Sequence, residues 1–152
     1  MPAKTIEMVV SLKVPDTTAI TALQTLQNIG FKKIVNVFRS DYYKFLIDSD
    51  ENQLKNKISK VDILVNANKH ACSFSIDKKN GISILVKNIN DDGSGLLSTL
   101  NNRLGFKNIN KAEKAVLWGL SIDAEGKEAM KIAEKAAKEL LVNENYQEFV
   151  IL

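Results

Sequence analysis

One cysteine, one histidine, two prolines and two arginines stand among 152 residues. Cys72 has no second cysteine to pair with in the chain, so no disulfide framework replaces a core, and a reducing compartment is expected. Arg39 and Arg103 are the only arginines. Recognition of bases and phosphates leans on arginine, so nucleic acid is not an expected partner. No apolar run approaches the ~20 residues that cross a bilayer. The segment Met1-Pro2-Ala3-Lys4 has no apolar signal core. A cytoplasmic protein without membrane attachment is expected. Against these absences stand 45% hydrophobic and 26% charged residues, the mix of a chain that can build a core. The net charge is +3, with lysines and glutamates scattered rather than in blocks.

The chain repeats itself. Gly30-Phe31-Lys32 returns as Gly105-Phe106-Lys107, 75 residues later (105 − 30). Leu64-Val65-Asn66 returns as Leu141-Val142-Asn143 at 77 (141 − 64), and Val10-Ser11-Leu12-Lys13 faces Ile84-Leu85-Val86-Lys87 at 74 (87 − 13). Two copies of one module are expected, over residues 1–77 and 82–152, joined by a short linker at 78–81. Asp77-Lys78-Lys79-Asn80-Gly81 carries an Asn-Gly turn signal and is too short for a tether.

Each copy offers the same order of elements. Met8, Val10, Leu12 and Val14 alternate as a strand does. Asp16 is placed to cap a helix whose Ala19, Ala22, Leu26 and Ile29 share a face. Gly30 suits a left-handed helix stop, with Phe31 packing back on the last turn. Val35 and Val37 begin a second strand, Ser40-Asp41 reads as a tight turn, and Tyr43, Phe45 and Ile47 alternate in a third. Leu54, Ile58, Val61 and Val65 mark a second helix, and His70 to Ile76 a closing strand. In the second copy, a strand covers Ile82 to Lys87. A helix follows Gly93-Ser94-Gly95 and stops at Gly105. Strands follow near 107–110 and 115–122. Asp123 is placed to cap a helix to about Val142, and Tyr146 to Leu152 closes the copy. Both halves read β-α-β-β-α-β, an α+β ferredoxin-like order with two helices on one face of an antiparallel sheet. Direct packing of the copies about a pseudo-two-fold axis is expected.

Candidate chemistry is sparse. His70 and Cys72 lie two apart on a strand and face one way, but zinc needs three or four ligands and no further His or Cys exists. Asn88-Ile89-Asn90-Asp91-Asp92-Gly93 opens like a calcium loop, yet Thr99 stands where a late acidic ligand is required. Gly93-Ser94-Gly95 could turn amides toward an anion, which Asp91 and Asp92 would repel. Asp48, Asp50 and Glu51 suit the start of a helix. Trp118 suits a packed strand, and the lysines of 125–142, interspersed with Glu125, Glu128, Glu134 and Glu139, a solvated face. No nucleophile, base and oxyanion site come together. Catalytic, cofactor-binding and metal residues are therefore expected to be none.

Four segments resemble the PurS family, small subunits of phosphoribosylformylglycinamidine synthase. Val10-Ser11-Leu12-Lys13 is similar to its first strand. Leu26 to Phe31 and Leu100 to Phe106 are similar to its first helix with a Gly-Phe end. Asn36-Val37 running to Tyr43-Lys44-Phe45-Leu46-Ile47 resembles its central hairpin. Ile63-Leu64-Val65-Asn66 and Glu139 to Asn143 resemble the Leu-Leu-Ala-Asn before its last strand. Asn90-Asp91-Asp92-Gly93 stands where the family has an Asp-Pro-x-Gly turn, which Val14-Pro15-Asp16 shortens in the first copy. The family's Arg-x-Gly-Lys is not kept: Phe38-Arg39-Ser40-Asp41 and Ala112-Glu113-Lys114-Ala115 stand there. The resemblance implies a non-catalytic subunit bridging a glutaminase subunit and an ATP-using synthetase subunit for ammonia transfer in purine biosynthesis, without a cofactor of its own. The family works as a dimer, so a tandem chain would hold the pair covalently, and a further homodimer is open. The alternative is a small-molecule regulatory module of ACT-like type.

Overall fold

The computed structural model describes residues 3–66, 68–76 and 81–152. The elements run β1 (Lys4–Leu12), α1 (Thr17–Asn28), β2 (Ile34–Ile47), α2 (Glu51–Ile58), β3 (His70–Ser73), β4 (Ile82–Asn88), α3 (Ser94–Ser98), β5 (Ile109–Ile122), α4 (Gly126–Ala136) and β6 (Gln147–Ile151). Helix α3 continues into a π-helical turn, Thr99–Arg103, and α4 into another, Ala137–Leu141. The α+β class is as expected: six strands form one sheet in the order β3-β1-β2-β5-β4-β6. The pairs β1–β2, β1–β3, β4–β5 and β4–β6 are antiparallel.

The turn expected at Ser40-Asp41 is absent. The strands expected on either side of it are one 14-residue strand, β2, and the two expected near 107–110 and 115–122 are likewise one strand, β5. A two-residue hairpin turn needs positive φ, which glycine supplies. Ser40 and Asp41 do not adopt it, and no described non-glycine residue has positive φ. Among the described residues each half of the chain therefore contributes three strands, not four.

This difference decides the compact units. One comprises Met1–Lys13, Asp41–Ile76 and Asp91–Lys114; the other Val14–Ser40, Asp77–Asn90 and Ala115–Leu152. The boundaries at 77 and 82 divide the sequence repeat, whereas both units draw on both halves. The expected linker, 78–81, lies outside the described residues except for Gly81.

The first unit holds β3, β1, the end of β2 and the start of β5, with α2 and α3. Ile6, Met8 and Val10 of β1 and Tyr43, Phe45 and Ile47 of β2 alternate into one core with Leu54 and Ile58 of α2 and Leu100. Each fully buried side chain of this size contributes about 1.5–3 kcal/mol. The second unit holds the start of β2, the end of β5, β4 and β6, with α1 and α4. Its core joins Ala19, Ala22 and Leu26 of α1, Ile84 and Val86 of β4, Trp118 and Leu120 of β5, and Ala133 and Ala136 of α4. Small residues on both helices leave room for Trp118 between helix and sheet.

Some expected details shift. Ile29 is exposed because α1 ends before it, and Leu12 and Val14 are exposed because β1 ends at Leu12. Helix α2 stops at Ile58, and Val61 to Val65 is a turn, closed by Val65 N–H donating to Val61 O at 2.8 Å. Glu125, not Asp123, precedes α4 as its N-cap. Asp123 instead continues the strand ladder, its N–H donating to Lys33 O at 2.7 Å. Asp16 caps α1 as expected, accepting from Thr18 N–H at 2.9 Å and Ala19 N–H at 3.2 Å.

Candidate functional site

The same local bonds occur at the places where the sequence repeats. After α1, Gly30 has φ 118° and Phe31 N–H donates to Leu26 O at 2.9 Å; after the π-helical turn, Gly105 has φ 76° and Phe106 N–H donates to Leu100 O at 2.8 Å. Gln27 Nε2 donates to Ile34 O at 3.0 Å, and Asn101 Nδ2 to Ile109 O at 3.1 Å. Ile34 and Val37 enter one core although three apart, and so do Ile109 and Ala112. Strict alternation forbids that, so each strand accommodates one additional residue at the same place.

A second repeated piece lies before β3 and β6. Asn66 N–H donates to His70 Nδ1 at 2.9 Å, and Asn143 N–H to Gln147 Oε1 at 2.9 Å. Asn66 Oδ1 accepts from Asn68 N–H at 3.0 Å, and Asn143 Oδ1 from Asn145 N–H at 3.1 Å. His70 thus acts as an acceptor that shapes a turn, the role a glutamine fills in the other half.

The other residues singled out for chemistry have local partners too. Cys72 packs against the first core, and burial pushes its thiol pKa up, away from the thiolate a nucleophile needs. Asp91 Oδ1 accepts from Gly93 N–H at 2.9 Å and Asp92 Oδ1 from Ser94 N–H at 2.9 Å. That bond to the Ser94 backbone, with one to its side chain, holds the Asp92 carboxyl below its ordinary value. Gly93 (φ 79°) is fixed by close approach: a Cβ there would lie 1.8 Å from Ala112 O. Asp50 caps α2 through Gln53 N–H at 3.0 Å, and Glu51 pairs with Lys55 at 2.9 Å. The interaction with Lys55 lowers the Glu51 pKa. Trp118 is 8% exposed, in the second core. Among the described residues no three His, Cys, Asp or Glu side chains come together as a metal cluster. No described helix is long and apolar enough to cross a membrane.

Two clefts remain. In the second unit, Thr17, Thr21 and Thr25 of α1 face Trp118, Leu140 and Leu141 across about 430 Å³. In the first unit, α2 and the turn after the π-helical segment enclose about 400 Å³. Ser49, Gln53 and Lys57 line one side and Gly105, Lys107 and Asn108 the other. Two positions of this second cleft have counterparts in the other unit. Gln53 stands three residues after the N-cap Asp50, as Glu128 does after Glu125. Asn108 stands three after Gly105, as Lys33 does after Gly30. Lys33 and Glu128 form an ion pair that raises the Lys33 pKa, whereas Gln53 and Asn108 carry no charge. In the sequence Glu128 reads only as an acid on a solvated helix face, and Lys33, Gln53 and Asn108 carry no motif, because what relates the four positions is the positive-φ stops and the caps. The matched offsets from cap and glycine were the available signal.

A scan against protein-family models and a search of curated proteins found no match.

Proposed function

We propose that this chain is a tandem, PurS-like bridging subunit, joining a glutaminase subunit to an ATP-dependent synthetase subunit. The observation that carries the reading is the recurrence of local structure where the resemblance lies. The Gly-Phe helix ends and the Asn-led turns are made by the same bonds in both halves. Two copies of one ancestral module account for that agreement better than independent origin.

Each compact unit is read as a ferredoxin-like layer. Numbered along that fold, the first unit's strand order β3, β1, end of β2, start of β5 is 4-1-3-2. The second unit's order β6, β4, end of β5, start of β2 is the same. In both, the first helix and its following strand segment come from the opposite half of the chain. One chain then supplies covalently the pair that separate subunits would form, which removes most of the association cost.

Reconstitution tests the role. With both partners present, glutamine-dependent synthesis should require this chain, while ammonia-dependent synthesis should proceed without it. Equal glutamine-dependent activity with and without the chain, and no complex on size exclusion, would reject the bridging role and bring the regulatory-module reading forward.

A further inference from the structure

We propose that the cleft between α2 and the Gly105–Asn108 turn binds a small phosphorylated molecule. The two units furnish a comparison within one chain. In the second unit the facing positions hold Glu128 and Lys33, so the protein supplies its own anion to a cation. In the first unit the same positions hold Gln53 and Asn108, and no carboxylate lines the cleft. Lys57 and Lys107 line it, and neither has an ion-pair partner among the described residues. Of the acids flanking it in sequence, Asp50 caps α2 and Glu51 pairs with Lys55, while Asp48, whose N–H donates to Asn108 O at 3.1 Å, is exposed. Lys60, two residues past the end of α2, lines an adjacent cleft with Gln53 and Lys57.

Two lysines as point charges with two amide side chains suit the several acceptor oxygens of a phosphate monoester. The volume, about 400 Å³, exceeds what phosphate alone fills and lies in the range of small-molecule sites. Leu54, Leu104 and Phe106 give the organic part of the ester an apolar wall. The ligand class is therefore a phosphate ester with a compact apolar body, held at its phosphate by Lys57 and Lys107.

The test uses the full chain, with phenyl phosphate, inorganic phosphate and phenol as probes, followed by amide NMR and calorimetry. Phenyl phosphate should shift the amides of Gln53–Lys57 and Gly105–Asn108 and bind more tightly than either other probe. Lys57→Gln with Lys107→Gln should weaken it at least about tenfold. Gln53→Glu, which installs the carboxylate found at Glu128, should weaken it similarly with the fold retained. No saturable shift in the millimolar range would overturn the proposal. So would shifts spread evenly over the lysines of α4, or a Gln53→Glu chain that binds as the parent does. None of these readouts involves the assembly partners, so failure here leaves the bridging reading standing.

Discussion

At the residue scale, side chains that read as chemistry turn out to hold turns. His70 is the clearest case, because Gln147 does the same work in the other half. His70→Gln should therefore leave stability nearly unchanged, whereas His70→Ala should lose about 1 kcal/mol for the missing bond. Urea unfolding of both variants distinguishes an acceptor from a catalytic imidazole. Gly93 and Gly30 differ in what a side chain would meet. At Gly93 a Cβ meets both positive φ and Ala112 O, while at Gly30 it meets open space. Gly93→Ala should cost clearly more than Gly30→Ala, where the positive φ of 118° alone is penalised, by about 1–2 kcal/mol. Tyr43 and Tyr42 respond to pH. Burial pushes Tyr43 up to about 12, and burial with the hydrogen bond to Glu7 raises Tyr42 further. The folded state keeps these protons after the unfolded chain has lost them. Stability should therefore fall as pH rises from 10 toward 12, and Tyr43→Phe should flatten the fall. Tyrosinate absorbance, followed with the unfolding midpoint, reads both.

At the element scale, two features alter what periodicity implies. The first is the continuity of β2 and β5. Asp41 pairs with Val10 in the ladder, so the middle of β2 is strand and not turn. Ser40→Asn with Asp41→Gly writes a hairpin signal into it and should destabilise the chain by about 1 kcal/mol or more. A neutral effect on the urea midpoint would mean that the strand is interrupted in solution. The second is the π-helical turn Thr99–Arg103. Leu26 to Gly30 spans four residues and Leu100 to Gly105 five, yet the bonds closing the two ends correspond. A π-helical turn absorbs one inserted residue within a helix. Removing exposed Asn102 should therefore leave a folded chain, while removing Gln24 should rotate the Ala19–Ala22–Leu26 face by about 100° and unfold it. Comparable losses in circular dichroism for the two deletions would sink that account.

At the scale of the whole molecule, both compact units are built from both halves. A fragment of residues 1–77 carries β1, α1, β2, α2 and β3, but lacks α3, β4, β5 and α4, which complete the two cores. Neither half should fold alone as a monomer, and mixing the two should restore native-like spectra and one species on size exclusion. A monomeric, cooperatively unfolding 1–77 would show that the unit of folding is the sequence repeat after all.

The sequence by itself determined the α+β class, the buried Met8 and Val10 of β1, the Asp16 cap and the glycine stops. These are local matters, governed by periodicity of two or 3.6 and by what glycine and aspartate do at helix ends. Tertiary structure decided where the strands go. Ser40-Asp41 tolerates a turn or an extended strand, and the choice between them rests on long-range pairing: Val10 with Asp41, and Asp48 N–H with Asn108 O at 3.1 Å. That choice puts segments of both sequence halves into each compact unit without changing a single local signal. It also brings Gln53 and Asn108 to one cleft in the first unit and pairs Glu128 with Lys33 in the second. These residues are 55 and 95 apart in the chain, beyond the reach of any local pattern.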